Sequence, residues 1–195
     1  MRLLAAAALG SLLVSTLTGT DIERALALSR ARDAERQQFH HRYVFDLHGA
    51  DVTQIEIVTE FRRLVMIGED HVLRGDSMFT RGVRAAQDAL APSRGMVTIK
   101  AQVRFNPLNT YIEPPPYTIA IGAAPNGALQ PIDTQIAAQY SSPVKVNGRE
   151  LSSLTGATLQ STIEATRIGQ TTRSVAVVLG GNTVAGTVVD FSHLD

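Results

Sequence analysis

The chain has 195 residues, and its 18 basic and 18 acidic side chains give a formal net charge of zero. This length leaves room for one domain with a substantial buried core. The balanced charge argues against a nucleic-acid partner and against membrane-surface binding through a polybasic patch. The sequence contains no cysteine, which excludes disulfide bonds, a thiolate nucleophile and any cysteine-ligated metal.

The first 20 residues have the order of a secretory signal peptide: a basic start at Arg2, an uncharged run rich in Leu and Ala over 3–17, and small or polar residues at the exit. The apolar run is about 15 residues long, shorter than the roughly 20 that a membrane-spanning helix needs. We therefore expect residues 1–20 to be a signal peptide and the mature chain to have no transmembrane span. A periplasmic or secreted bacterial protein fits this pattern and the absence of cysteine.

A helical segment is expected to follow, over residues 21–41. Thr20 and Glu23 have the spacing of a capping box at the start of a helix. The apolar face of this helix fades after about three turns, so we expect it to pack weakly and to be detached from the domain. Two cleavage sites are compatible with the small residues, one after Thr20 and one after Ala27. A cut after Ala27 would place charged residues in the exit region of the signal peptide.

From residue 42 onward the hydrophobic period changes to two, which indicates strands. Residues 54–67 contain neither Gly nor Pro, and their alternation gives way to a continuous apolar stretch after Arg62 and Arg63. One straight strand of this length would span about 46 Å, too long for such a domain. We therefore expect a strand that bulges or bends near Arg62 and Arg63.

One helix is expected between the second and third strands. Asp76 and Ser77 offer an N-cap, and large apolar residues then recur at helical spacing from Phe79 to Leu90. The clearest strand follows at 97–106, where apolar and polar residues alternate strictly.

The rest of the chain is expected to form short strands separated by turns. Asn147 and Gly148 have the composition of a two-residue hairpin turn, and a Gly-Gly-Asn turn separates two apolar runs near the C-terminus. The sequence therefore predicts a single mainly β domain over residues 42–195. Its expected form is an immunoglobulin-like antiparallel β-sandwich of about seven to nine strands with one inserted helix.

Histidines and carboxylates could form a metal or catalytic site if the fold brought them together. The candidates are Asp46, His48, Glu69 and His71. Their spacing matches no known metal-ligand signature. The chain also has no G-x-S-x-G elbow and no glycine-rich loop for a nucleotide cofactor. We therefore expect no metal and no cofactor.

Arg62 and Arg63 are the best candidates for a binding site. A guanidinium pair at a strand irregularity is suited to an anionic group or to a carboxylate of a partner protein. The alternative is that they pair with Glu60 or Glu69 inside the domain. If the strand bulges, both guanidinium groups reach solvent and each can be removed at a cost below about 1 kcal/mol.

These observations favour an exported, non-enzymatic binding or scaffolding module of the bacterial cell envelope. Its expected partner is an envelope protein or an anionic ligand. The alternative is an exported hydrolase or metal-dependent enzyme that uses a His/carboxylate site. A concave site with converging His and carboxylate groups would favour the enzyme.

Overall fold

The computed structural model describes residues 17–47, 49, 51–76, 78–106, 108–123 and 129–195. The protein is mainly β, with 40% strand and 33% helix, and its sheets are antiparallel. The helices are α1 (Gly19–Leu28), α2 (Asp33–His41), α3 (Glu60–Leu73), α4 (Val83–Leu90) and α5 (Ala165–Ile168). The strands are β1 (Val44–Asp46), β2 (Val52–Val58), β3 (Met96–Arg104), β4 (Tyr117–Ala123), β5 (Leu129–Ile132), β6 (Gln135–Tyr140), β7 (Val144–Val146), β8 (Arg149–Leu151), β9 (Leu154–Glu164), β10 (Thr172–Leu179) and β11 (Asn182–Asp190).

Two sheets share the main hydrophobic core. The larger sheet has the order β1-β2-β3-β9-β6 and the smaller sheet has the order β11-β10-β4-β5, while β7 and β8 form a separate hairpin. Side chains of both sheets belong to one buried cluster, which includes Ile57 and Ile99 from the larger sheet and Ile119 and Val177 from the smaller. The side of the larger sheet turned away from this core is called its outer face below.

The strand expected at 97–106 is confirmed as β3, the middle strand of the larger sheet. Its apolar residues are buried in the shared core: Val97, Ile99, Ala101, Val103 and Phe105. The intervening residues alternate onto the outer face, as the pleat of a strand requires. The hairpin at Asn147 and Gly148 is also confirmed, and both residues adopt positive φ, 51° and 78°.

An immunoglobulin-like sandwich is not confirmed. Both sheets are open, and together they contain nine of the eleven strands in the described part of the chain. The other two strands, β7 and β8, have three residues each and form the separate hairpin.

The bulged strand expected over 54–67 is wrong. β2 ends at Val58, and α3 begins at Glu60. Thr59 is the N-cap: its side chain accepts a hydrogen bond from the Arg62 backbone N–H at 3.2 Å, which satisfies one of the free donors of the first turn. The apolar stretch after Arg63 lies within α3 and is continuous because the helix packs on two sides: Leu64 and Val65 are buried among the helices, and Met66 and Ile67 face the larger sheet.

A second hydrophobic cluster, the helical cluster, lies among α1 to α4. Its buried residues are Ile22, Ala25, Leu26, Phe39, Tyr43, Phe61, Leu64, Val65, Phe79, Ala86 and Leu90. The N-terminal segment is therefore packed and not detached. α1 and α3 approach so closely that a Cβ on Gly68 would lie 2.5 Å from the Ser29 hydroxyl oxygen.

The helical segment expected over 21–41 contains two helices, broken between Leu28 and Asp33. Its N-cap is Thr18, whose side chain accepts from the Asp21 backbone N–H, and Asp21 reciprocates as in a capping box. Thr20 and Glu23 have the same three-residue spacing, but the observed capping box lies two residues earlier, at Thr18 and Asp21.

Two helices, not one, lie between β2 and β3. The second, α4, begins at Val83 after Gly82, and Asp76 accepts from the Phe79 N–H at the start of a short 3-10 helix instead. Ser77, the other expected cap, lies outside the described residues. Among the helices in the described ranges, none has the length and apolar character needed to cross a membrane.

Candidate functional site

Arg62 is buried and held by the protein itself. Its side chain is only 4% exposed, and its guanidinium donates to the Ile57 carbonyl and to Glu56 Oε1, both at 2.6 Å. It also lies 5.1 Å from the centre of the Tyr43 ring. Burial lowers the pKa of Arg62, and the neighbouring Glu56 carboxylate opposes that shift. These contacts leave Arg62 closed to a ligand, against the expectation that it reaches solvent.

A hydrogen-bonded chain continues from Arg62 into α2. Arg62 Nε donates to His40 Nδ1 at 3.3 Å, so Nδ1 acts as an acceptor and the proton of the neutral ring lies on Nε2. His40 Nε2 then donates to Glu69 at 3.0 Å. Because both ring nitrogens are engaged, His40 joins α2 to α3 and has no free atom with which to accept a substrate proton.

Arg63 points to the other side of α3, toward the outer face of the larger sheet. Its Nη2 donates to Thr98 Oγ1 at 2.7 Å. Its Nε is buried and has no hydrogen-bond partner. No carboxylate among the described residues lies within 4.0 Å of its guanidinium. Burial lowers the pKa of Arg63, opposed by the more distant charge of Glu60.

Arg63 lines a cleft of about 300 Å³ between α3 and the outer face of the larger sheet. The cleft is lined by Val58, Arg63, Met66, Ile67, Asp70, Thr98, Lys100 and Gln160. Its wall comes from α3 and its floor from β3 and β9. Thr98 and Lys100 reach the floor because they alternate with Ile99, which is fully buried in the core on the opposite side of β3.

Lys100 is the second cation of the cleft. Its partners across the sheet are Glu56 on β2 and Gln160 on β9. Glu56 is already bound to Arg62, and the nearest acidic group of α3 in the cleft, Asp70, pairs with Arg74 at 2.6 Å. Two cationic side chains therefore line the cleft, while Asp70, the one carboxylate among its described lining residues, is paired with Arg74.

The four metal candidates have different neighbours. Asp46 accepts a hydrogen bond from Gln54 at 3.3 Å, and Glu69 pairs with His40. His71 pairs with Asp76 at 2.9 Å and stacks on the Phe79 ring at 3.8 Å. His48 lies outside the described residues. Within the ranges that the structure describes, no three His, Asp or Glu side chains form a group that could hold a metal ion.

Sequence reasoning identified Arg63 but not the residues opposite it. Treating 54–67 as one strand gave Arg62 and Arg63 the same surroundings, whereas successive residues of a helix lie about 100° apart. The strict alternation over 97–106 predicts only that Thr98 and Lys100 lie on the polar side of a strand, and no sequence pattern points to Gln160. Lys100 shares that side of β3 with the charged Arg104, so its charge points to a site only once α3 is placed above it.

No protein-family model matches the chain, and neither the curated proteins nor the solved structures include a significant match. The function therefore has to be inferred from the protein's own residues.

Proposed function

We propose that this protein is an exported, non-enzymatic binding module whose cleft holds an anionic group. The cations of the site are Arg63 and Lys100, with Thr98 and Gln160 as neutral hydrogen-bonding groups. The proposal that the chain is exported to the cell envelope rests on the pattern of residues 1–20. The proposal that it binds an anion rests on the cleft.

The observation that carries the proposal is the state of Arg63. Its guanidinium is partly removed from water, lacks an ion pair within the described residues and has one buried N–H without an acceptor. A desolvated cation without a counter-charge is unfavourable, and an anion bound beside it offsets that cost. A guanidinium also suits the planar, two-pronged geometry of a carboxylate or the oxygens of a phosphate.

The cleft also indicates the size and character of the ligand. Val58, Met66 and Ile67 give it an apolar side opposite the cations. A volume of about 300 Å³ lies at the small end of ligand sites. A small organic anion fits best, with its charged group on Arg63 and Lys100 and a short apolar body on α3.

The lining of the cleft does not favour the alternative of an exported hydrolase. Among the described lining residues the only carboxylate is Asp70, which is paired with Arg74, and there is no histidine. General acid–base catalysis needs a proton donor or acceptor at the reacting atom. His71 and Asp76 do form a pair, but neither lines this cleft.

The binding proposal is tested by calorimetric titration of the purified chain with acetate, hexanoate and inorganic phosphate. We expect hexanoate to bind more tightly than acetate, because only hexanoate covers the apolar side. Arg63→Gln and Lys100→Gln should each weaken binding at least about tenfold, consistent with the loss of one charged hydrogen bond.

Arg167→Gln and Lys145→Gln are matched controls, since both side chains are exposed and lie outside the cleft lining. They should bind the anion like the parent chain. Failure of all three anions to bind, or equal weakening by the control variants, would overturn the proposed site. Export is tested separately by mass spectrometry: the protein from its native host should have a new N-terminus, and a full-length cytoplasmic product would refute export.

A further inference from the structure

The two sheets have four edge strands, and these differ in how well they are protected against pairing. β1 is three residues long and ends in the charged Asp46, and β5 contains Pro131. Short length, charge and proline are the usual means of blocking an exposed edge. β6, the free edge of the larger sheet, has six residues, Gln135–Tyr140, and contains neither a charge nor a proline.

The hydrogen-bonding pattern shows which backbone groups of β6 are free. Phe105 N–H donates to the Thr155 carbonyl, so Thr155 and every second residue of β9 direct their backbone groups toward β3. The residues between them face β6, where Gly156 is opposite Gln139 and Thr158 is opposite Ala137. The N–H and C=O groups of Ile136 and Ala138 therefore point away from the sheet.

We propose that β6 pairs in antiparallel fashion with β6 of a second copy of this chain, about a two-fold axis at Ala137. Ile136 then lies opposite Ala138 of the second copy, and these two residues exchange backbone hydrogen bonds on both sides of the axis. Ala137 lies opposite its own equivalent, where small side chains allow close approach. The two larger sheets become one continuous sheet of ten strands.

The side chains favour a second copy because they complement themselves in this register. Gln135 lies opposite Gln139 of the second copy. Within the described residues the Gln139 amide nitrogen donates to Thr158 Oγ1 at 2.9 Å and to Gln102 Oε1 at 3.4 Å, and its Oε1 accepts no hydrogen bond. Gln135 is exposed and can donate to that oxygen across the interface. No charged residue meets a like charge, so self-pairing has no electrostatic penalty.

Exposed apolar side chains next to β6 support an interface on this flank. Tyr140 ends the strand at 53% exposure, and its hydroxyl donates to the Ile112 carbonyl at 3.4 Å. Val144 and Leu151 pair across the following hairpin and are both more than half exposed. In the proposed register Tyr140 lies beside Thr134 of the second copy. This inference is independent of the anion cleft.

The absence of cysteine makes the two-fold axis directly testable. Ala137→Cys places a thiol opposite its equivalent in a pair that shares no backbone hydrogen bonds, with Cα atoms about 4.5 Å apart. That separation lies within the range of a disulfide. Under mild oxidation we expect a covalent dimer. Gln135→Cys is the matched control, because its equivalent lies about four residues away along the paired strands and should not crosslink.

The mass in solution provides the second measurement. Light scattering should give twice the chain mass for the parent and for Ala137→Thr, and the single-chain mass for Ala137→Lys and Ala138→Pro. Ala138→Pro removes an N–H that faces the second copy and leaves the bonds to β9 intact. Circular dichroism checks that each variant is folded. A monomeric parent, a dimer that survives both substitutions, or crosslinking through a cysteine placed in β11, the other edge strand without a proline, and not through Ala137→Cys would overturn the proposal.

Discussion

The two buried clusters of this protein differ in how they treat polar groups. The core between the sheets is almost entirely apolar, with Ser161 among its few buried hydroxyl groups. The helical cluster adjoins the buried guanidinium of Arg62 and the largely buried Glu60, and it contains the fully buried Tyr43. Successive side chains of a strand point to opposite faces of the sheet, so polar residues can be kept out of the core. At a junction between a strand and a helix, free backbone groups remain, and polar side chains must form hydrogen bonds with them.

This difference explains why the buried charged side chains, Glu60 and Arg62, lie at the junction between β2 and α3. Arg62 donates to the Ile57 carbonyl near the end of β2, and Thr59 caps α3 in the turn between them. The same short segment that turns the chain from sheet to helix also sends Arg63 toward the outer face of the larger sheet. The cleft is thus a consequence of where the two clusters meet.

The largest effect is expected from a charge in the apolar core. Val103→Asp should lower the free energy of unfolding by about 4 kcal/mol or more, because the new carboxylate would be buried without a partner. Arg104→Asp, one residue later on the exposed side of β3, should change it by less than about 1 kcal/mol. Urea denaturation measures both. Equal midpoints for the two variants would show that the facing of β3 is wrongly assigned.

The next largest effect is a difference in the stability lost when each of the two adjacent arginines is replaced by alanine. Arg62→Ala should cost about 3 kcal/mol, because it removes one partner of a buried ion pair and leaves Glu56 and the Ile57 carbonyl without their donor. Arg63→Ala should cost less than about 1 kcal/mol, since Arg63 has no ion pair to lose. Thermal unfolding of the two variants compares them. The reverse order would mean that Arg63, and not Arg62, stabilises the junction.

The smallest effect concerns a buried tyrosine in each cluster. Burial raises the pKa of Tyr43 and that of Tyr117 above the ordinary value near 10. The folded state therefore holds these protons more tightly than the unfolded state. The corresponding stability is present below about pH 10 and is lost as the pH rises through the raised pKa values.

Comparing urea midpoints at about pH 9 and about pH 11 tests this dependence. Tyr43→Phe and Tyr117→Phe should each reduce the loss of stability between those pH values. Tyr140→Phe, at an exposed position, should leave the loss unchanged. If none of the three substitutions alters it, tyrosine ionisation does not govern alkaline unfolding.

Much of the sheet structure could be predicted because its signals are local. The alternation around Val103 and the turn at Asn147 and Gly148 each depend on a few adjacent residues. The change from β2 to α3 could not be read in this way, since Ile55, Ile57, Thr59 and Phe61 also fit a strand period. Only the cap at Thr59 distinguishes the two readings, and threonine is common in strands as well.

One cation of the candidate site, Arg63, could be predicted from the sequence, whereas the other, Lys100, could not. Arg63 stood out as a charge at an irregularity of the pattern. Lys100 became part of the site only through the packing of α3 above β3, which brings together residues more than thirty positions apart in the sequence. The buried role of Arg62 likewise depends on Tyr43 and His40, which come from an earlier part of the chain.

The pairing of β3 with β9 sets the order in which the protein can fold. β10 and β11 are joined by a two-residue turn and can pair within microseconds. β3 instead pairs with β9, which begins at Leu154, about fifty residues after β3 ends at Arg104. During synthesis the middle strand of the larger sheet therefore has one uncovered edge until β9 emerges. Closure of that sheet is a late, long-range step, and the folding rate should depend more on residues of β9 than on those of the C-terminal hairpin.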